Sequence, residues 1–169
     1  SSLGRGSQFS FSIQAPRVSN TLLNAAAAPS VWTITKPEEK KTDIPAFNAH
    51  VLIAEDNIIN QAVLKHMLQA MGVSWVLAQN GQEALDICVH ATNIDLVLMD
   101  MQMPVMGGVD AVKNIRQWER DHGRPRWPVV ACTANAFDDD RKACFEAGMD
   151  DVLVKPVERL QLINMLKKW

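Results

Sequence analysis

From His50 onward, short apolar runs alternate with longer stretches in which apolar residues recur every three or four positions. His50 to Ala54, Trp75 to Ala78, Leu96 to Met99, Val129 to Cys132 and Val152 to Val154 read as strands. Between the first two, Ile59, Val63, Met67 and Met71 keep helical spacing until Gly72 stops the helix. A second helix follows Asn80-Gly81 and carries Ala84, Leu85 and Cys88; a third opens at Gly107-Gly108 and carries Val112, Ile115 and Trp118. Asp138 to Ala147 is helical up to Gly148, and Leu160, Ile163 and Leu166 mark a last helix.

Five strands alternating with five helices imply right-handed crossovers and a parallel sheet covered on both faces. Strands rich in Val, Leu and Ile agree with that double burial. Ligands of such open sheets lie at the carboxyl ends of the strands, near the point where strand order reverses. The chemistry should therefore follow each apolar run.

Residues before about His50 have another character. Ser, Asn, Ala and Pro dominate, with a run from Ala25 to Ala28, then Pro29, Pro37 and Pro45, so residues 16–48 read as a linker. In residues 1–15, Phe9, Phe11 and Ile13 alternate with polar residues as in a short half-buried strand. The expected folded unit is residues 49–169.

The chain has 169 residues, 47% apolar and 21% charged, with a net charge of -2. That is a globular balance, and no Lys/Arg run gives reason to expect a nucleic-acid surface. Cys88, Cys132 and Cys144 show neither disulfide nor zinc spacing and read as small apolar residues in a reducing compartment. His50, His66, His90 and His122 likewise lack ligand spacing. No stretch reaches the ~20 apolar residues needed to cross a bilayer, and none resembles a signal peptide. The expected location is the cytoplasm, which is compatible with a parent protein anchored in the inner membrane.

Each strand end is polar: Glu55-Asp56 after the first, Asp100 after the third, Thr133 after the fourth and Lys155-Pro156 after the fifth. If one sheet edge gathers them, three carboxylates share a small space, where a pair at ~4 Å repels by about 4 kcal/mol at an effective dielectric near 20. A cation is then required. Magnesium suits carboxylate and water oxygens and commonly shares its shell with a phosphoryl oxygen. A carboxylate attacks phosphorus when the charge of the transferring group is neutralised around it, which makes Asp100 the candidate acceptor. Lys155 would pair with one phosphoryl oxygen, and the Thr133 hydroxyl would donate to another. Asp138 to Asp140 read as residues favouring the start of a helix dipole, and Met101, Met103 and Met106 as loop packing.

The segments VLIAEDN, LVLMDMQMPVMGG, VVACTANA and VLVKP resemble the four signature segments of response-regulator receiver domains, over His50 to Trp169. The resemblance implies a flavodoxin-like, doubly wound α/β fold with five strands in the order 2-1-3-4-5 and five helices. It implies phosphoryl transfer from a phosphohistidine to Asp100, followed by relay or hydrolysis. Such a domain catalyses its own magnesium-dependent phosphorylation and dephosphorylation without being a histidine kinase. The metal ligands it implies are Glu55 or its water, Asp56, Asp100 and the Gln102 backbone carbonyl. The implied partners are a histidine kinase core or a histidine phosphotransfer domain. A docking surface for the latter is expected on the first helix, at Ile58, Ile59 and Ala62. The peptide bond before the proline of the Lys-Pro pair is usually cis in that family.

Gly4-Arg5-Gly6-Ser7-Gln8-Phe9-Ser10-Phe11 resembles the closing strand of histidine-kinase ATPase domains, which would make this the carboxyl-terminal receiver of a hybrid sensor kinase. One position departs from the receiver pattern. Where Tyr or Phe usually stands three residues before the Lys, this chain has Val152, and an aliphatic side chain cannot provide the aromatic rotamer switch. Relay duty fits that change better than a strong conformational output. Two other readings compete. One is a receiver-like binding module independent of phosphorylation, and Val152 is its support. The other is an aspartyl-nucleophile phosphohydrolase resembling the haloacid-dehalogenase enzymes, which need a second Asp where this chain has Gln102.

Overall fold

The computed structural model describes residues 45–90, 93–134 and 138–169, apart from the side chains of residues 138–140. The expected strand at Phe9 to Ile13, the linker as far as residue 44 and the side chains of Asp138 to Asp140 lie outside the described residues.

The elements follow one another as β1 (His50–Ala54), α1 (Ile58–Ala70), β2 (Ser74–Ala78), α2 (Gly81–His90) and β3 (Leu96–Asp100). They continue as α3 (Gly108–Asp121), β4 (Val129–Thr133), α4 (Asp138–Ala147), β5 (Asp151–Val154) and α5 (Arg159–Lys168). The strands form one parallel sheet in the order β2-β1-β3-β4-β5. This is the expected doubly wound α/β fold. Each strand has the composition of a chain buried on both sides, and β3 and β4 are buried at every residue.

Side chains alternate between the two faces. Leu52, Val97, Met99, Val129 and Ala131 pack with Ala84, Cys88, Val112, Ile115 and Cys144 of α2, α3 and α4. Val51, Ile53, Leu96, Leu98, Val130 and Cys132 pack with Leu64, Leu68, Leu162 and Met165 of α1 and α5. All three cysteines are buried thiols outside any disulfide. Burial pushes the Cys88 and Cys132 thiols up to about 12, so both stay protonated at neutral pH.

Two details differ from the sequence pattern. The stripe Ile59, Val63, Met67 and Met71 correctly marks a helix, and Met67 and Met71 reach the core, but Ile59 and Val63 do not: the buried residues of α1 are Gln61, Leu64 and Leu68. Successive residues are about 100° apart around a helix, so a one-residue shift turns a second stripe inward. The Leu64/Leu68 pair docks, and Ile58 and Ile59 are left 75% and 70% exposed. In the same way α5 buries Leu162 and Met165, while Leu160 faces outward. Packing also begins ahead of β1: the Phe47 N–H donates to Met71 O at 2.9 Å, and its ring joins the α1/α5 core.

The end of the domain away from the strand carboxyl edge is tied together by buried charge. Arg116 on α3 donates to Gly148 O at 2.9 Å, to Glu119 at 2.8 Å and to Asp150 at 2.8 Å. Those carboxylates are engaged in turn, Glu119 by Trp127 N–H and Asp150 by Val129 N–H, each at 2.8 Å. A buried pair satisfied this fully fixes how α3 meets the loops around β4 and β5. No helix among the described residues is long and apolar enough to cross a membrane.

At the carboxyl edge of the sheet, Gly107 precedes α3 and Gly108 begins it. A Cβ on Gly108 would sit against the Asp100 carbonyl and 3.0 Å from its carbon, a backbone obstruction that cannot swing away. Only glycine lets α3 start this close to the end of β3. Gly108→Ala should therefore cost about 2–3 kcal/mol of stability, seen as a lower urea midpoint with little change in slope. An unchanged midpoint would mean that this close approach does not exist.

Candidate functional site

The site follows from strand register. Ala54 pairs with Met99, Asp100 with Cys132, and Thr133 with Val154, so the residues just beyond or at these ends meet at one edge of the sheet. Glu55-Asp56, Asp100, Thr133 and Lys155 all line one cleft of about 340 Å³, together with Asn57, Asn60, Met101, Gln102 and Ala134. The five residues picked from the strand ends are thus brought together. Gln102 joins them on the exposed rim, and its backbone N–H donates to Asp100 Oδ1 at 3.2 Å. Ile58, Ile59 and Ala62 do not line the cleft; they lie exposed on α1, beside the Asn57 and Asn60 that do.

Lys155 is the hub of the charges. Its Nζ lies 2.6 Å from Glu55 Oε2 and 2.7 Å from Asp100 Oδ2. Its own N–H donates to Thr133 O at 2.7 Å, which seats the end of β5 beside β4. The Lys155-Pro156 bond is cis, in line with the resemblance. Burial opposes the positive charge on Lys155, but the two carboxylates more than offset it and raise its pKa, so the ammonium persists at neutral pH.

Asp100 is only 7% exposed. Burial is the leading influence and raises its pKa from the ordinary value; Lys155 and the Gln102 N–H pull the other way, and the neighbouring Glu55 charge adds to the rise.

Glu55 is 1% exposed. Its Oε1 accepts from Asn57 N–H at 3.2 Å and from Asn60 Nδ2 at 2.9 Å. Its Oε2 accepts no hydrogen bond of good angle and meets Lys155 by charge, which leaves lone pairs for another partner. One carboxylate oxygen from each of Glu55, Asp56 and Asp100 lies within 4.8 Å of the others. A buried, under-satisfied oxygen within a trio of hard oxygen donors fits a magnesium-sized cation.

Asn57 and Asn60 escaped the sequence reading. Asn57 caps α1, its Oδ1 accepting from Ile59 N–H at 2.9 Å, and Asn60 in the first turn reaches back to Glu55. Gln61 donates to the Glu55 carbonyl at 2.7 Å. The signal was an Asn-rich helix start directly after the acidic pair, which serves two purposes and looks like a cap alone. Asp56 is exposed at the mouth of the cleft.

Residues 51–167 match the response regulator receiver domain. The sensor histidine kinase GacS of Pseudomonas protegens is 40% identical over 120 residues, which cover 70% of this chain and 13% of that protein. The chain thus spans a small part of the curated relatives that it resembles. Among solved structures, the receiver domain of Saccharomyces cerevisiae Ssk1, crystallised with the histidine phosphotransfer protein Ypd1, is similar at a TM-score of 0.69 and 36% identity. That match covers 75% of this chain and 90% of that one. The receiver domain of the sensor histidine kinase PA1611 from Pseudomonas aeruginosa, with magnesium coordinated in its active-site cleft, is similar at a TM-score of 0.65 and 36% identity. It covers 73% of this chain and 98% of that one. The segments at the strand ends, the strand order and these likenesses agree, and the chain belongs to the family of response regulator receiver domains.

Proposed function

We propose that this domain accepts a phosphoryl group on Asp100 from a phosphohistidine and passes it on or releases it by hydrolysis. The observation that carries the reading is Lys155, whose ammonium bridges Glu55 and Asp100 at 2.6 and 2.7 Å beside a third carboxylate. An Asp100 carboxylate oxygen would attack phosphorus as the bond from phosphorus to the histidine nitrogen breaks. The electron pair leaves with the imidazole. Lys155 would turn from the carboxylate to a phosphoryl oxygen, and the Thr133 hydroxyl would donate to another. Magnesium, held by Glu55 directly or through water, by Asp56, by Asp100 and by the Gln102 carbonyl, would supply the remaining neutralisation of charge. The buried Glu55 carboxylate is kept oriented for this by Asn57 and Asn60.

The PA1611 receiver, with magnesium in its cleft, supports the metal, and the Ssk1–Ypd1 complex supports a phosphotransfer protein as partner. Ile58, Ile59 and Ala62 are exposed on α1 at the side of the cleft, where an apolar patch suits such a partner. In the parent protein, residues 1–15 would close a kinase ATPase domain, 16–48 would link it to the receiver, and 49–169 would be the receiver of a hybrid kinase. Val152 is half-buried and packs on the α2–α4 core, with no large ring to swing. That favours relay over conformational output. It is also what a phosphorylation-independent module would show.

Three outcomes are expected. Incubated with acetyl phosphate and magnesium, the chain should gain the mass of one phosphoryl group, and Asp100→Asn should gain none; an unlabelled wild type would favour the phosphorylation-independent module. Gln102 lies on the exposed rim two residues past the acceptor, where it governs the approach of water. Gln102→Ala should therefore change the phosphoryl half-life by about three-fold or more, and an unchanged half-life defeats that role. Ala62→Glu should slow transfer from phosphorylated Ypd1 by about ten-fold while leaving labelling by acetyl phosphate alone. Equal transfer rates would move the docking surface elsewhere.

A further inference from the structure

The loop joining β3 to α3 holds an apolar side chain out in solvent in a backbone conformation that resists it. Val105 has φ of 67°, the only positive φ outside glycine among the described residues. β-branched residues enter that left-handed region least readily. The Met106 N–H donates to Pro104 O at 2.7 Å and closes a three-residue turn centred on Val105, which with this φ is the strained hand of the γ-turn.

The turn is pinned. Gly81 N–H donates to Met106 O at 2.9 Å, Gly108 N–H donates to Met101 O at 3.1 Å, and Met103 and Met106 pack against the core. Val105 lies between those methionines and is 87% exposed. Gly or Asn would relieve the turn, and any polar residue would remove the exposed apolar surface. Valine does neither. A single exposed apolar side chain is ordinary, but one kept in a strained turn five residues beyond the acceptor has no explanation inside the domain.

We infer that Val105 is an apolar anchor for the phosphohistidine-bearing partner, and so helps to select it. This rests on the reading of Asp100 as phosphoryl acceptor. The cleft runs between the start of α1, at Asp56, Asn57 and Asn60, and the β3–α3 loop, at Met101 and Gln102. A histidine carried on a protein reaches Asp100 only if its carrier sits across both rims. Ile58 and Ile59 provide the apolar contact on one rim, and Val105 provides it on the other. A small phosphodonor entering the cleft needs neither.

The test compares wild type with Val105→Asn, which suits the turn but is polar, and with Val105→Thr, which keeps the shape and the strain but replaces a methyl by a hydroxyl. Phosphorylated Ypd1 and acetyl phosphate serve as alternative donors, each with magnesium. Both variants should accept from Ypd1 about ten-fold more slowly, while labelling by acetyl phosphate stays within about two-fold. Val105→Asn should also melt roughly 2–4 °C higher, and Val105→Thr should not. Transfer from Ypd1 at the wild-type rate in both variants would overturn the inference. So would an equal slowing with acetyl phosphate, which would put the effect on the chemistry rather than on docking. Wild type that acetyl phosphate fails to label would instead bring down the acceptor reading itself.

Discussion

The arrangement depends on confining three carboxylates beside one ammonium group. Glu55, Asp56 and Asp100 present oxygens within 4.8 Å of one another, and Lys155 makes contact with two of them. Unpaired, such a cluster would push its strands apart or be forced to take up protons. Its persistence therefore needs two things: a counter-charge delivered from a separate strand, and a register that cannot slip. The sheet supplies both. A one-residue slip would exchange the side chains fitted to α2–α4 with those fitted to α1 and α5, so close packing on both faces holds the ends of β1, β3, β4 and β5 level.

Loops then refine what the register delivers. Gly108 lets α3 begin against the Asp100 backbone, Asn57 both caps α1 and steadies Glu55, and the turn around Val105 is pinned to the start of α2 through Gly81 and Met106. Each feature makes this edge more constrained than packing alone would favour. The opposite end carries the satisfied Arg116 network, whose bonds link α3 to the loops before β4 and β5. The strained backbone of Val105 lies on the loop that follows Asp100, whereas the fully partnered Arg116 network lies at the other end of the domain.

Much of this was legible in the sequence, and the rest was hidden for identifiable reasons. The strands were visible because chains buried on both faces are apolar throughout, and the residues of the candidate cleft were visible because a parallel sheet gathers the residues at which its apolar runs end. The buried face of α1 was not. Two apolar stripes compete there, Ile59/Val63 and Leu64/Leu68, and only docking on the sheet decides between them. Asn60 was hidden because it reaches Glu55 from the first turn of α1 by a side-chain bond that no sequence motif marks. The Arg116 network joins residues as far as 34 positions apart, a separation at which charge pairing leaves no local pattern. Val105 was hidden most deeply, since a β-branched residue is the last choice that turn chemistry would predict for a positive φ.

Val152 brings the argument back to the sheet. It pairs with Ala131 across β4 and β5 and packs into the α2–α4 core, so a small residue faces a small residue where the family usually places a ring. A ring that alternates between buried and exposed rotamers needs room to move, and a close-packed aliphatic contact offers neither the room nor the moving part. Under the proposed reading, phosphorylation of Asp100 would then have little leverage on the β5 face. What would remain for the domain to offer a partner is the carboxyl edge itself, where Asp100 and Lys155 meet between the start of α1 and the β3–α3 loop. Under that reading a phosphoryl carrier would need no more than this edge, because the group would arrive at and leave from the same carboxylate, Asp100.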